Sequence, residues 1–224
     1  MYPLQAMETA QMAVSQVKNV GLSDLIMAGG WLMIPLAALL AAAIFIFVDR
    51  FMLIRKSTGN EMKLMNRVRE MMLAGDIRGA VAACRKANTP TSRMIEKGIT
   101  NLGRPLTDIH SLIENTANLE VSKLEKNLPF LATIAGGAPM IGFLGTVIGM
   151  VEAFINMSQA GGSLDMSLLS SGMYTAMVTT VAGLIVGIPA YFGYNFLVQK
   201  IEKVVFQMES NTIAFMDLIS RPVQ

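Results

Sequence analysis

Between Asp24 and Asp49 the chain has no charged residue for 24 positions, and between Lys126 and Lys200 it has only Glu152 and Asp165. Gaps of this length decide what the chain can fold into. A helix on a soluble domain carries polar residues on one face of every turn, whereas a bilayer core of about 30 Å takes about 20 consecutive apolar helical residues. Composition agrees: 53% of the 224 residues are hydrophobic and 15% charged, too much apolar surface for one water-soluble domain. The pattern predicts an all-α membrane protein with three transmembrane helices, at 25–49, 127–157 and 168–199. The third stretch exceeds one crossing, so it is expected to tilt or to protrude into water. The first is too long for the apolar part of a signal peptide and follows no basic segment, so it is expected to be retained.

Orientation follows from Lys and Arg, which stay on the cytoplasmic side. Arg50, Arg55 and Lys56 follow the first stretch, Lys123 and Lys126 precede the second, and Lys200 and Lys203 follow the third. The other side has Lys18 alone, and the 158–167 loop has Asp165 and no cation. Residues 1–24 are therefore expected outside, with a weakly amphipathic helical pattern from Leu4 to Val20, and 50–126 and 200–224 inside.

The 50–126 segment carries 14 Lys or Arg against 8 Asp or Glu, a net +6. Nucleic acid is not the expected partner, because aromatics are few and both signs of charge are spread along helical patterns. A solvated helical domain close to anionic lipid is expected instead. Gly75-Asp76 and Asn88-Thr89-Pro90 read as breaks between short helices, since Asp and Thr cap while Gly and Pro interrupt. After Arg104-Pro105, the residues Leu106, Ile109, Ile113, Ala117, Glu120 or Val121, Leu124 and Leu128 recur at steps of three and four. They predict one helix running straight into the second span, extending about 20 residues, roughly 30 Å, from the bilayer. Its apolar stripe needs partners, and self-association would supply them.

Cys84 and His110 each lack a companion for nucleophilic or metal chemistry and are expected to be structural. No Ser/His/Asp set, phosphate-binding loop or zinc constellation is present in the sequence. Neither catalysis nor a cofactor is expected.

The second and third spans are rich in small residues. Gly142, Gly145 and Gly149 recur in one, and Gly172, Ala176, Thr180, Gly183 and Gly187 in the other, a pattern that lets helices approach closely in lipid. Two threonines carry a further possibility. Lys126 to Thr146 and Thr180 to Lys200 each span 20 residues, so on antiparallel helices both hydroxyls stand at about one depth, roughly 30 Å above the cationic plane. Singly, either hydroxyl can be satisfied by its own helix; together they can line a polar path. Threonine does not titrate at physiological pH, so such a path needs water or a carboxylate from somewhere. Glu152 is a candidate, since intramembrane acids are functional by default, but its count from Lys126 puts it near the outer interface, about level with Tyr174. A midplane carboxylate is expected to come from another chain.

At this point the sequence resembles the MotA/TolQ/ExbB proton-channel family, in its three-helix ExbB/TolQ branch. The resemblance is carried by Leu131-Ala132-Thr133-Ile134-Ala135, Pro139, and Gly142 through Met150. It continues in Thr179-Thr180, Gly183-Leu184, Gly187-Ile188-Pro189-Ala190 and Tyr194-Asn195. It implies a bacterial inner-membrane protein with a periplasmic amino terminus and cytoplasmic carboxyl terminus. It further implies a homo-pentameric ring around transmembrane helices of an ExbD- or TolR-like partner, whose aspartate carries protons beside hydroxyls matching Thr146 and Thr180. Inward proton flow would then drive a TonB- or TolA-like protein acting on the outer membrane. Where many relatives have a glutamate in the third span, this chain has Thr175, so a role for that acid does not transfer. TonB-type energisation is the expected function, with a Tol-type envelope-maintenance role and a non-conducting scaffold as alternatives. A flagellar stator is disfavoured, since those subunits have a fourth span.

Overall fold

A computed structural model describes residues 29–57, 59, 61–159 and 166–220, with side chains in the last stretch from 170 onward. The Leu4–Val20 pattern and most of the 158–167 loop lie outside the described residues. Among the described residues there is no strand. A 3₁₀ turn, Gly30–Leu32, leads into α1 (Met33–Ser57), followed by α2 (Glu61–Leu73), α3 (Ile77–Ala87), α4 (Pro90–Ile99), α5 (Leu106–Glu125), α6 (Leu128–Gln159) and α7 (Met166–Ser220). Three stretches are long and apolar enough to cross a membrane, within Gly30–Leu73, Leu106–Gln159 and Ser170–Ser220. Their apolar side chains are largely exposed, among them Phe45, Phe143, Met177 and Phe192, as lipid-facing helices require.

The chain forms two compact units. Among the described residues, the first comprises 29–43, 133–159 and 166–190, and its core is the pairing of α6 with the first part of α7. Both helices contain a proline, Pro139 and Pro189. Proline removes a backbone donor, a defect that helices in lipid tolerate when neighbours satisfy the freed carbonyl.

The second unit comprises Ile44–Ala132 and Tyr191–Gln224. Its short helices end where the cap chemistry says they should. Asp76 caps α3 by accepting from the Gly79 amide at 2.8 Å, after Gly75 at φ 78°. Asn88 closes α3 in the left-handed region, φ 49°. Thr89 and Ser92 form a reciprocal capping box at the start of α4, with Pro90 in its first turn, which satisfies amides the helix cannot. Phe215 of α7 is fully buried, beside Gly98 of α4 and Ile113 of α5. Arg50 is buried but satisfied: Nη1 donates to the Lys123 carbonyl at 3.0 Å, and Nε and Nη2 donate to Asp49.

One expectation is corrected. The helix after Pro105 does not run straight into the second span: α5 stops at Glu125, Lys126 turns extended at ψ 133°, and Asn127 is left-handed at φ 68°. Pro129 lies in the first turn of α6, where its missing N–H costs nothing. Asn tolerates the left-handed conformation better than most residues, so the break falls on it.

Candidate functional site

The small residues of α6 and α7 face one another, and their contacts fix the register. A methyl placed on Gly142 would meet the Thr179 carbonyl at 2.9 Å and the Cα atoms of Gly183 and Thr180 at 3.1 and 3.2 Å. Gly145 lies against the Thr179 side chain, Gly149 against Ala176 and Gly172, Gly183 against the Ala138 carbonyl, and Gly187 against Pro139 and the Ala135 carbonyl. Rising numbers on one helix meet falling numbers on the other, so the pair is antiparallel. Where backbone faces backbone, at Gly142 and Gly183, there is no room for a Cβ, and the close approach gains dispersion and inter-helix polar contacts in return.

Thr180 uses that closeness. Its hydroxyl donates to the Gly142 carbonyl of the facing helix at 3.0 Å. Thr146 instead donates to Phe143 of its own helix at 2.5 Å. Since Thr180 is level with Gly142, the two threonines differ in height by the four residues from 142 to 146, about 6 Å. They sit within about one turn of each other, not at a common level. The count from Lys126 crosses the break at Asn127, where residues do not add helical rise.

Between them lies a third hydroxyl that spacing alone did not single out. Thr179 is 1% exposed, donates to the Ala176 carbonyl at 2.8 Å and packs its side chain on Gly145. Its signal in the sequence was adjacency to Thr180, with Gly183 one turn further along the same face. Glu152 is exposed, one residue from Ala153, which packs on Gly172. It therefore lies six residues along α6 from Thr146, about 9 Å by helical rise, on the side away from Gly142. Thr175 is half-buried beside Ala176. In this unit Glu152 is the one carboxylate among the described residues. No three His, Cys, Asp or Glu side chains gather there as a metal site would, nor elsewhere among the described residues.

The second unit holds two buried acids in opposite settings. Glu120 of α5 accepts from Arg93 of α4 and from Lys123 at 2.7 Å. Burial alone would raise its carboxyl, but those hydrogen bonds and the two cations hold it below the ordinary value. Glu61 of α2 accepts from the Thr91 hydroxyl at 2.7 Å and from the Asn211 amide at 3.2 Å, both neutral. Burial pushes its carboxyl up, and the Thr91 bond only partly opposes this.

Residues 86–210 match the model of the MotA/TolQ/ExbB proton channel family. The Tol-Pal system protein TolQ of Haemophilus influenzae is 37% identical over 39% of this chain and 38% of its own length. A putative biopolymer transport protein ExbB homolog of Methanothermobacter thermautotrophicus is 27% identical over 66% of this chain and 52% of its own length. The biopolymer transport protein ExbB of Aquifex aeolicus is 36% identical over 43% of this chain and 64% of its own length. The chain thus spans between about a third and two thirds of these relatives. The matched residues include both threonines and the whole small-residue interface.

Proposed function

Since the chain belongs to the MotA/TolQ/ExbB proton channel family, we propose that it is the channel subunit of an inner-membrane motor. In this reading it works with an ExbD-like partner, and the proton motive force energises TonB-dependent outer-membrane transport. Five copies surround the partner's transmembrane helices, the amino terminus faces the periplasm and the carboxyl terminus the cytoplasm. Protons are the transported ion, with no cofactor. The observation that carries the reading is the Gly142–Thr180 contact with Thr146 one turn away: two hydroxyls within about 6 Å of height, in a unit whose one described carboxylate lies six residues beyond Thr146 along α6. The hydroxyls do not themselves titrate, and in this reading the partner's aspartate supplies the titrating group beside them.

A Tol-type role is the second reading, favoured by similarity to a TolQ at an identity comparable to that of the ExbB relatives. The genes beside this one separate the two, as a TonB-like or a Tol-like neighbour. The channel reading is tested by Thr146→Val with Thr180→Val, co-purified with the partner and reconstituted in vesicles bearing a proton gradient. The expected result is an intact complex with proton flux lost. Unchanged flux in the double variant rejects the two hydroxyls as the path. Flux through the chain without any partner, abolished by Glu152→Gln, would place the path on Glu152 instead.

A further inference from the structure

In the second unit, α1 and α7 enclose a cavity of about 300 Å³ just past their apolar runs. Its lining is apolar where it is buried, at Ile54, Leu197 and Val204, which with the partly exposed Phe51 form a floor, and charged where it is exposed, at Arg55, Lys200 and Lys203, which form a rim. None of the three cations makes an ion pair among the described residues. The nearest acid in sequence, Glu202, is an i, i+1 or i+2 neighbour of the lysines, and such neighbours point away from one another. The Lys200 ammonium stands 5.4 Å from the centre of the Phe196 ring, and that ring lies 6.2 Å from Phe51. The aromatic pair thus holds one cation over the edge of the apolar floor. Three unpaired positive charges above a hydrocarbon-lined pocket match one ligand in shape and polarity: a phosphodiester attached to acyl chains.

We propose that this cavity binds the headgroup of an anionic phospholipid, the phosphate between Arg55, Lys200 and Lys203 and the glycerol and first acyl carbons on Phe51, Leu197 and Val204. The site rests on the reading of α1 and α7 as membrane-crossing helices and not on proton conduction. A free phosphate would use the rim and leave the floor empty. Basic pockets between transmembrane helices on the cytoplasmic side are established sites for anionic headgroups.

The test is native mass spectrometry of the purified protein equilibrated with equal amounts of phosphatidylglycerol and phosphatidylcholine in neutral detergent. The wild type is expected to retain phosphatidylglycerol selectively. Arg55→Gln, Lys200→Gln and Lys203→Gln combined should lower that selectivity about tenfold or more, from the contribution each surface cation makes to anionic lipid binding. Removing equal charge from α2, by Lys63→Gln, Arg67→Gln and Arg69→Gln, should leave it unchanged. Should the triple variant fail to purify, Lys203→Gln alone carries the test with a smaller drop. Equal retention of the two lipids by the wild type overturns the proposal. Displacement of the lipid by millimolar inorganic phosphate marks a free-anion site and does the same. Loss of the oligomer in the triple variant with selectivity intact means the cations face a second copy, and this too overturns it.

Discussion

The Thr180 hydroxyl reaches the Gly142 carbonyl across 3.0 Å, from one helix to its antiparallel neighbour. The bond exists because neither Gly142 nor Gly183 has a side chain: a methyl on Gly183 would meet the Ala138 carbonyl at 2.7 Å and the Gly142 Cα at 2.9 Å. The obstacle at both positions is backbone, which cannot swing aside as a flexible side chain does.

Gly142→Ala and Gly183→Ala should therefore each destabilise the protein by about 1–3 kcal/mol, the usual cost of overpacking. Gly136→Ala is the control, because a methyl there meets nothing within 4 Å and alanine is the better helix former. It should be neutral or stabilising. Thermal unfolding in one detergent ranks the three.

The two buried acids should give opposite pH dependences. Glu61 holds its proton more tightly folded than unfolded, so its contribution falls as pH rises from the ordinary value of 4.5 through the raised folded value. Glu120 is held below 4.5, so its contribution is full above that value and is lost as pH falls through the folded one. At neutral pH, Glu61→Gln should be neutral or stabilising. Glu120→Gln should cost about 1–2 kcal/mol by removing the charge that pairs with Arg93 and Lys123, discounted because the Arg93 side chain keeps its bonds to Asn88 and is partly open to solvent. Unfolding midpoints of both variants between about pH 4 and pH 8 check the signs, and a Glu120→Gln protein as stable as wild type at neutral pH would contradict this account.

Asn127, at φ 68°, should accept glycine and refuse a β-branched residue. Asn127→Gly is expected within about 0.5 kcal/mol of wild type, and Asn127→Val about 1–2 kcal/mol less stable, from the strain of a left-handed backbone. Chemical denaturation of the two variants side by side gives the comparison.

Cys84 should be inert while the protein is folded. Burial first, and then the charge of Glu96, push its thiol up to about 11, and the thiolate is the reactive form. Alkylation near pH 8 should run about 100-fold slower than for a free thiol, and reach completion once denaturant is added.

How much of this the sequence disclosed depended on whether one residue could carry the signal. The turns at Gly75-Asp76 and Asn88-Thr89-Pro90 were readable because a cap is local chemistry: a side-chain oxygen, an amide three residues on, a ring that cannot donate. The break at Asn127 was hidden because Leu124, Leu128 and Leu131 keep helical spacing straight through it. Asn127 followed by Pro129 was the available clue. The packing role of the glycines was readable from their spacing, but which hydroxyl would cross to the other helix was not. Thr146 and Thr180 have the same chemistry, and only the approach of Gly142 offers one of them a carbonyl outside its own helix.

The first unit holds one described carboxylate, and that one stands away from the threonines. On the proposed reading, copies made in excess of their partner are electrically silent. Mismatched synthesis of the two subunits would then leave the membrane insulated, with no leak to dissipate the gradient the finished machine runs on.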